Sequence, residues 1–133
     1  MLDFGRGNGL YAAECGIVIE ETAPSTVRFA AREMKEALDG VFGADVPVVH
    51  ALTPGKRHLV LGENAWTRAE GLAPSKLPRD AFEIKVTPEG AYIAGVDDPK
   101  ANFDSRPIHG CAQCATSHGV YESGGVMVDY LRP

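Results

Sequence analysis

Apolar side chains recur along this chain with two different spacings. A short β-branched run at 16–20 predicts a strand. From Pro24 to about Phe42, apolar residues recur three and four positions apart, which predicts a helix with one buried stripe. Gly40 and Gly43 follow as its C-terminal stop. The stripe consists of Val27, Ala31, Met34, Leu38 and Val41.

Two further strands and a short helix are predicted in the middle of the chain. Segments 46–49 and 58–62 are apolar runs bounded by turn residues, and such runs predict strands. Pro47 favours an edge or a strand start, because it cannot donate to a strand ladder. Asn64 predicts the N-cap of a short helix that extends to about Glu70.

A β-hairpin is predicted after a proline-containing loop at 73–78. Segments 81–87 and 91–96 are separated by a turn sequence, and they predict antiparallel neighbours. The first segment alternates strictly, as a half-buried strand does. Its apolar face consists of Phe82, Ile84 and Val86, and its polar face of Glu83, Lys85 and Thr87.

The two ends of the chain complete the predicted architecture. Residues 1–15 predict a glycine-rich arm or an edge strand, segment 97–114 has the composition of a long loop, and a last helix is predicted over 115–131. The resulting order is βαββαββα. It predicts a single α+β domain over 1–133, with a mixed sheet that helices cover mainly on one face.

The composition of the chain argues against two classes of partner, nucleic acids and membranes. A chain of 133 residues fits one domain with one core. Thirteen basic residues are scattered among eighteen acidic ones, for a net charge of -5, so nucleic acid is not a predicted partner. No apolar stretch approaches the roughly 18 residues of a membrane helix, so a membrane is not a predicted partner either.

The densest cluster of metal-ligating residue types is His109, Cys111, Cys114 and His118. Two thiolates and two imidazoles are sufficient for tetrahedral zinc. In common zinc modules, however, the second ligand pair lies about a dozen or more residues from the first. The alternative interpretation is that the two cysteines are small apolar fillers beside solvated histidines, or that one of them meets Cys15. Both interpretations stay open.

No catalytic residue and no cofactor site is predicted. Asp97, Asp98 and Asp104 have the sequence context of turn formers, whereas the carboxylates of a glycosidase face each other across the substrate at roughly 5 to 10 Å. The glycines at 5–9 lack the preceding strand and following helix of a phosphate-binding loop. Trp66 is predicted to pack in the core, with stacking on a sugar ring as the alternative.

Several short sequence motifs along the chain, called phrases below, resemble those of a known family. In their order and spacing they resemble the N-terminal domain that precedes the barrel in family-20 β-N-acetylhexosaminidases, family-67 α-glucuronidases and related uncharacterised bacterial proteins. Two departures from that pattern are the inserted segment 99–114 and the small residues at 123–125. The phrases are 30–34, 43–48, 59–64 with Gly71 and Leu72, 82–84 with 93–95, and 119–122.

The resemblance implies a non-catalytic accessory domain of a bacterial glycoside hydrolase, secreted or periplasmic. It also implies a partner, the catalytic barrel, which would hold the catalytic carboxylates and which this chain does not contain. Two other functions fit the residues. One is a stand-alone carbohydrate- or protein-binding module that uses the 97–114 loop and Trp66. The other is a small metal-binding protein that uses the cysteine and histidine cluster.

Overall fold

A computed structural model of the protein describes residues 15–78 and 81–97, apart from the side chains at 41 and 42. The predicted order of elements is confirmed from the first strand to the hairpin. The arm before Cys15 and the helix predicted over 115–131 lie outside the described residues. The elements are β1 (Cys15–Val18), α1 (Ser25–Phe42), β2 (Val48–Val49), β3 (Arg57–Leu61), α2 (Ala65–Ala69), a 3₁₀ turn (Pro74–Lys76), β4 (Phe82–Thr87) and β5 (Gly90–Gly95).

The five strands form one mixed sheet in the order β2-β1-β3-β5-β4. The first four in this order are parallel, and β4 is antiparallel to β5. Pro47 immediately precedes the edge strand β2, and its carbonyl accepts a hydrogen bond of 2.9 Å from the Ile17 amide. A proline at the start of an edge strand was the sequence prediction, because that position needs no amide donor.

Helix α1 covers one face of the sheet with the predicted apolar stripe. Its buried side chains pack in one cluster with Ile17, Leu59 and Ile93 of the three central strands. The helix ends as predicted at Gly43, which adopts the left-handed conformation with φ 61° and donates its N–H to the Asp39 carbonyl. Val27, Ala31, Met34 and Leu38 of the stripe are buried, and so is the neighbouring Ala30. The side chain of Val41 lies outside the described part of the chain.

A second, smaller cluster covers the opposite face. Trp66 of α2 is partly buried there against a group that includes Val60, Leu72 and Tyr92, so the prediction that this tryptophan packs in the core is confirmed. The longer helix therefore covers one face, while the short helix contributes to the other. The prediction of helices mainly on one face therefore fits α1, which is the longer helix, but α2 lies on the opposite face.

The outer strand β4 differs from its prediction in burial. Its alternation is as predicted, but Ile84 and Val86 are 40% and 42% exposed. Ile84 pairs with Ile93, a member of the α1 cluster, so the apolar row of β4 lies on the α1 face. A helix is about 10 Å wide and strands are about 4.8 Å apart. One helix centred on β1 and β3 therefore does not extend to the fifth strand.

A small polar network fixes the connection from α1 to β2. The Val46 amide donates a 2.7 Å hydrogen bond to the Asp39 carboxylate, and this bond holds the pKa of Asp39 below its usual value. Lys35 lies 3.0 Å from Asp39 and also contacts Asp45. Its hydrogen bonds to these two carboxylates raise the pKa of Lys35.

The start of β5 comes unusually close to β3. A Cβ atom on Gly90 would lie 2.1 Å from the carbonyl oxygen of His58, so this position excludes every side chain. The His58 ring is buried and its Nε2 accepts a hydrogen bond from the Thr53 amide at 3.1 Å. Burial lowers the pKa of His58, which favours the neutral ring that this acceptor role requires.

We expect Gly90→Ala to lower the free energy of unfolding by about 2–4 kcal/mol, because the clash is with backbone and no rotamer change relieves it. Urea denaturation followed by circular dichroism measures the change. Gly40→Ala is the matched control. Gly40 lies on the exposed side of α1 with no atom within 4 Å of a new Cβ, so the same substitution there should stabilise by about 0.5–1 kcal/mol. Equal effects at the two positions would contradict the close approach.

Candidate ligand-binding cleft

A cleft of about 290 Å³ opens at the carboxyl ends of the parallel strands. It lies where the chain leaves β1, β3 and β5, beside the start of α1. Apolar side chains and backbone form its base, and three carboxylates stand around it. Its described lining residues are Glu20, Ala23, Pro24, Val27, Leu61, Gly62, Glu63, Asn64, Gly95 and Asp97.

The topology explains why a crevice forms at this place. After β1 the chain crosses to β2, on one side of β1, whereas after β3 it passes through α2 to β4, on the other side of β3. The helices that follow these two strands, α1 and α2, lie on opposite faces of the sheet. The carboxyl ends of the two diverging strands then border an opening, which is the usual ligand position in open α/β sheets.

Gly62 shapes the floor of the cleft. It has φ 94°, and its amide donates a 2.9 Å hydrogen bond to the Ile93 carbonyl. A Cβ at this position would lie 3.0 Å from a methyl group of Val27. Glycine therefore meets two requirements here, since it adopts the left-handed conformation and lets α1 approach the end of β3.

Asn64 and Thr67 fix the wall on the α2 side. The Asn64 side chain accepts from the Thr67 amide, and the Thr67 hydroxyl accepts from the Asn64 amide, both at 2.9 Å. The Asn64 side-chain amide also donates to the Leu61 carbonyl at 3.2 Å. This capping box is buried, so Asn64 is committed to holding the loop. Its neighbour Glu63, which is exposed, remains available to a ligand.

The opposite wall is the first turn of α1. Pro24 is the N-cap residue in an extended conformation, with no side-chain cap and no acidic residue in the first turn. The Arg28 guanidinium donates a 2.7 Å hydrogen bond to the Ala23 carbonyl and so anchors this wall. The amino end of a helix carries a partial positive charge. The cleft therefore combines carboxylates with one weakly positive border.

Three carboxylates give the cleft its chemical character. Glu20 follows β1, Glu63 follows β3, and Asp97 follows β5; Glu20 and Asp97 are half-buried. Ionised carboxylates only accept hydrogen bonds, so this arrangement suits ligands that present hydroxyl, amide or ammonium donors. None of the described lining residues is a histidine, cysteine, serine or lysine. The three carboxylates are therefore the only ionisable side chains in the described lining.

The predicted zinc ligands His109, Cys111, Cys114 and His118 lie outside the described residues, so that site stays a prediction. Within 15–78 and 81–97, no group of three or more histidine, cysteine or acidic residues could hold a metal ion. Cys15 is buried in the α1 cluster.

The remaining candidates have mixed outcomes. Asp97 lines the cleft and is half-buried, a position that the sequence did not predict. Asp98, Asp104 and the glycines at 5–9 lie outside the described residues. Neither described helix is long and apolar enough to span a bilayer.

Glu20 and Glu63 were not among the residues predicted from the sequence. Each follows an apolar strand run within two residues. That position is a signal in parallel sheets, whose carboxyl ends meet at one edge. The signal could be used only if β1 and β3 were known to be adjacent and parallel.

Comparison with known proteins adds no relative. No protein-family model matches the chain, and no curated protein is significantly similar to it.

Removing the capping box should loosen the cleft wall. We expect Asn64→Ala to lower the free energy of unfolding by about 1–3 kcal/mol, because it removes a helix cap and leaves buried polar groups without partners. Chemical denaturation provides the measurement. Glu63→Ala changes the exposed neighbour and should stay within about 0.5 kcal/mol of the parent. A neutral Asn64→Ala would show that the cap does not hold this loop.

Proposed function

We propose that this chain is a non-catalytic accessory domain of a carbohydrate-active enzyme, a glycoside hydrolase whose catalytic barrel lies outside these 133 residues. The proposal includes that barrel as the principal partner. It assigns no bond-breaking step to this chain, whose contribution is to stabilise and shape the barrel.

One observation carries the proposal, namely that the phrases behind the family resemblance occupy the elements expected of them. Phrase 30–34 lies within α1, 43–48 leads from the Gly43 cap to β2, and 59–64 covers β3 and the cap of α2. Phrases 82–84 and 93–95 face each other in the β4–β5 ladder, residue by residue. Each of these sequence segments forms the helix or strand that the family pattern expects of it, which supports an architecture shared with that family. The function is then inferred by analogy with the family.

The first experiment follows the reading frame past codon 133 and tests the longer protein. We expect a barrel-sized domain downstream that hydrolyses aryl β-N-acetylglucosaminides or aryl glucuronides. Deleting residues 1–133 should lower the melting temperature of the barrel by at least about 4 °C, because an interface is lost. Residues 1–133 alone should show no hydrolysis. A frame that ends without a barrel, or hydrolysis by this chain alone, would overturn the proposal.

A second candidate function is carbohydrate binding by the domain itself, and the cleft favours it. Sugars present many hydroxyl donors, and the cleft offers carboxylate acceptors from the ends of three strands. The proposed binding surface differs from the one predicted from the sequence, which used Trp66 and the 97–114 loop. Trp66 is partly buried against a core cluster, and segment 98–114 lies outside the described residues. In this version Glu20, Glu63 and Asp97 hold the ligand.

Calorimetry with neutral and acidic oligosaccharides tests this candidate. We expect neutral N-acetylglucosamine oligomers to bind more tightly than glucuronate-containing ones, since the carboxylates of the cleft repel an acidic sugar. Glu63→Gln should weaken binding about fivefold or more, because a charged acceptor is replaced by a neutral one. Glu89→Gln, in the exposed hairpin turn, is the control and should change nothing. If the two variants bound the oligosaccharide with equal affinity, the cleft would not be the binding site.

A further inference from the structure

Strand β4 is an edge strand with an unusual combination of side chains. Among the strands that the structure describes, it pairs only with β5. Ile84 and Val86 are 40% and 42% exposed, and the side chain of Lys85 is 48% exposed. An exposed edge of this kind is a template for pairing with another strand unless its side chains prevent it.

The backbone of β4 presents three residues to that open edge. The Val96 amide donates to the Ala81 carbonyl, and the Gly62 amide donates to the Ile93 carbonyl. The backbone carbonyl of residue 81 therefore points toward β5. The backbone carbonyl of Ile93, which is the partner of Ile84, points toward β3. Bonding direction alternates along an antiparallel pair. The N–H and C=O groups of the even-numbered residues Phe82, Ile84 and Val86 consequently point away from β5.

We propose that two copies of this chain associate through β4, as an antiparallel strand pair with its two-fold axis at Ile84. In this register Ile84 faces Ile84 of the second copy, and Phe82 faces Val86. The outward N–H groups of all three residues meet the outward C=O groups of the other copy. The two five-stranded sheets then become one continuous sheet. This inference does not depend on the proposed function.

The charges of β4 select this register. With the axis at Ile84, Glu83 lies opposite Lys85 of the second copy, and the pair occurs twice. Residues 83 and 85 occupy the non-hydrogen-bonded positions of the new ladder, where facing side chains approach most closely. Moving the axis to residue 83 or to residue 85 keeps the backbone bonds but sets Glu83 against Glu83, or Lys85 against Lys85. Of these three registers, only the proposed one sets opposite charges against each other.

The structure already holds these two side chains on one face. Glu83 accepts a 2.9 Å hydrogen bond from the Ala73 amide, and Lys85 lies 3.1 Å from the Glu70 carboxylate. These contacts limit the freedom of both side chains before pairing. On the other face, Ile84 and Val86 bring apolar surface to the contact. In the proposed register, therefore, no like-charge repulsion opposes the pairing of β4 with its own copy.

Sedimentation equilibrium of the full chain between about 10 µM and 1 mM tests the proposal. We expect a reversible monomer–dimer equilibrium. Glu83→Lys alone and Lys85→Glu alone should each raise the dissociation constant at least tenfold, because like charges then face each other twice. Leu52→Lys is the control. Leu52 is 44% exposed in a loop outside β4, so this variant should dimerise like the parent.

Two combinations make the test specific to the register. The double variant with Glu83→Lys and Lys85→Glu restores opposite charges and should dimerise again. An equimolar mixture of the two single variants pairs an all-basic β4 with an all-acidic one, and it should form a heterodimer although each variant alone is monomeric. Circular dichroism verifies that every variant is folded. A monomeric parent, or a dimer that none of these charge changes affects, would overturn the proposal.

Discussion

Parallel strands must be covered on both faces, and the described fold follows from meeting that requirement for β1, β3 and β5. An 18-residue helix covers one face with a continuous apolar stripe. The other face is covered by a smaller group that includes Trp66 and Leu72. Because the two covers come from connections that leave the centre of the sheet in opposite directions, the central strands are buried and a crevice opens at their carboxyl ends.

The backbone conformation and hydrogen bonds of a few residues hold the crevice open. Gly62 allows a left-handed turn directly beneath Val27, and Asn64 with Thr67 closes the first turn of α2. These residues provide geometry, while the carboxylates that follow the strands provide the chemistry. Hydrogen-bond acceptors around a cleft are consistent with recognition of a donor-rich ligand.

The same requirement explains why β4 is left open in the described part of the chain. One helix covers about two strands, so the fifth strand, added by a hairpin, lies beyond its reach. Ile84 and Val86 stay on the apolar face without the burial that their alternation predicts. An edge with this residue order is complementary to itself, since Glu83 and Lys85 are symmetrically placed around Ile84. Self-association would bury the apolar side chains of β4 that the described part of the chain leaves exposed.

The sequence by itself determined the elements whose formation depends on near neighbours. The stripe of α1, its stop at Gly43, the Asn64 cap and the two strands of the hairpin all depend on contacts within about four residues or across a tight turn, and each is present. The zinc cluster at 109–118 and the helix at 115–131 stay predictions. Only the tertiary structure decided that β1, β3 and β5 are adjacent and parallel, and this brought Glu20, Glu63 and Asp97 to one cleft. The exposure of β4 was decided in the same way, because it depends on how far α1 extends across the sheet. Both outcomes depend on contacts between segments distant in the chain, which spacing along the sequence does not encode.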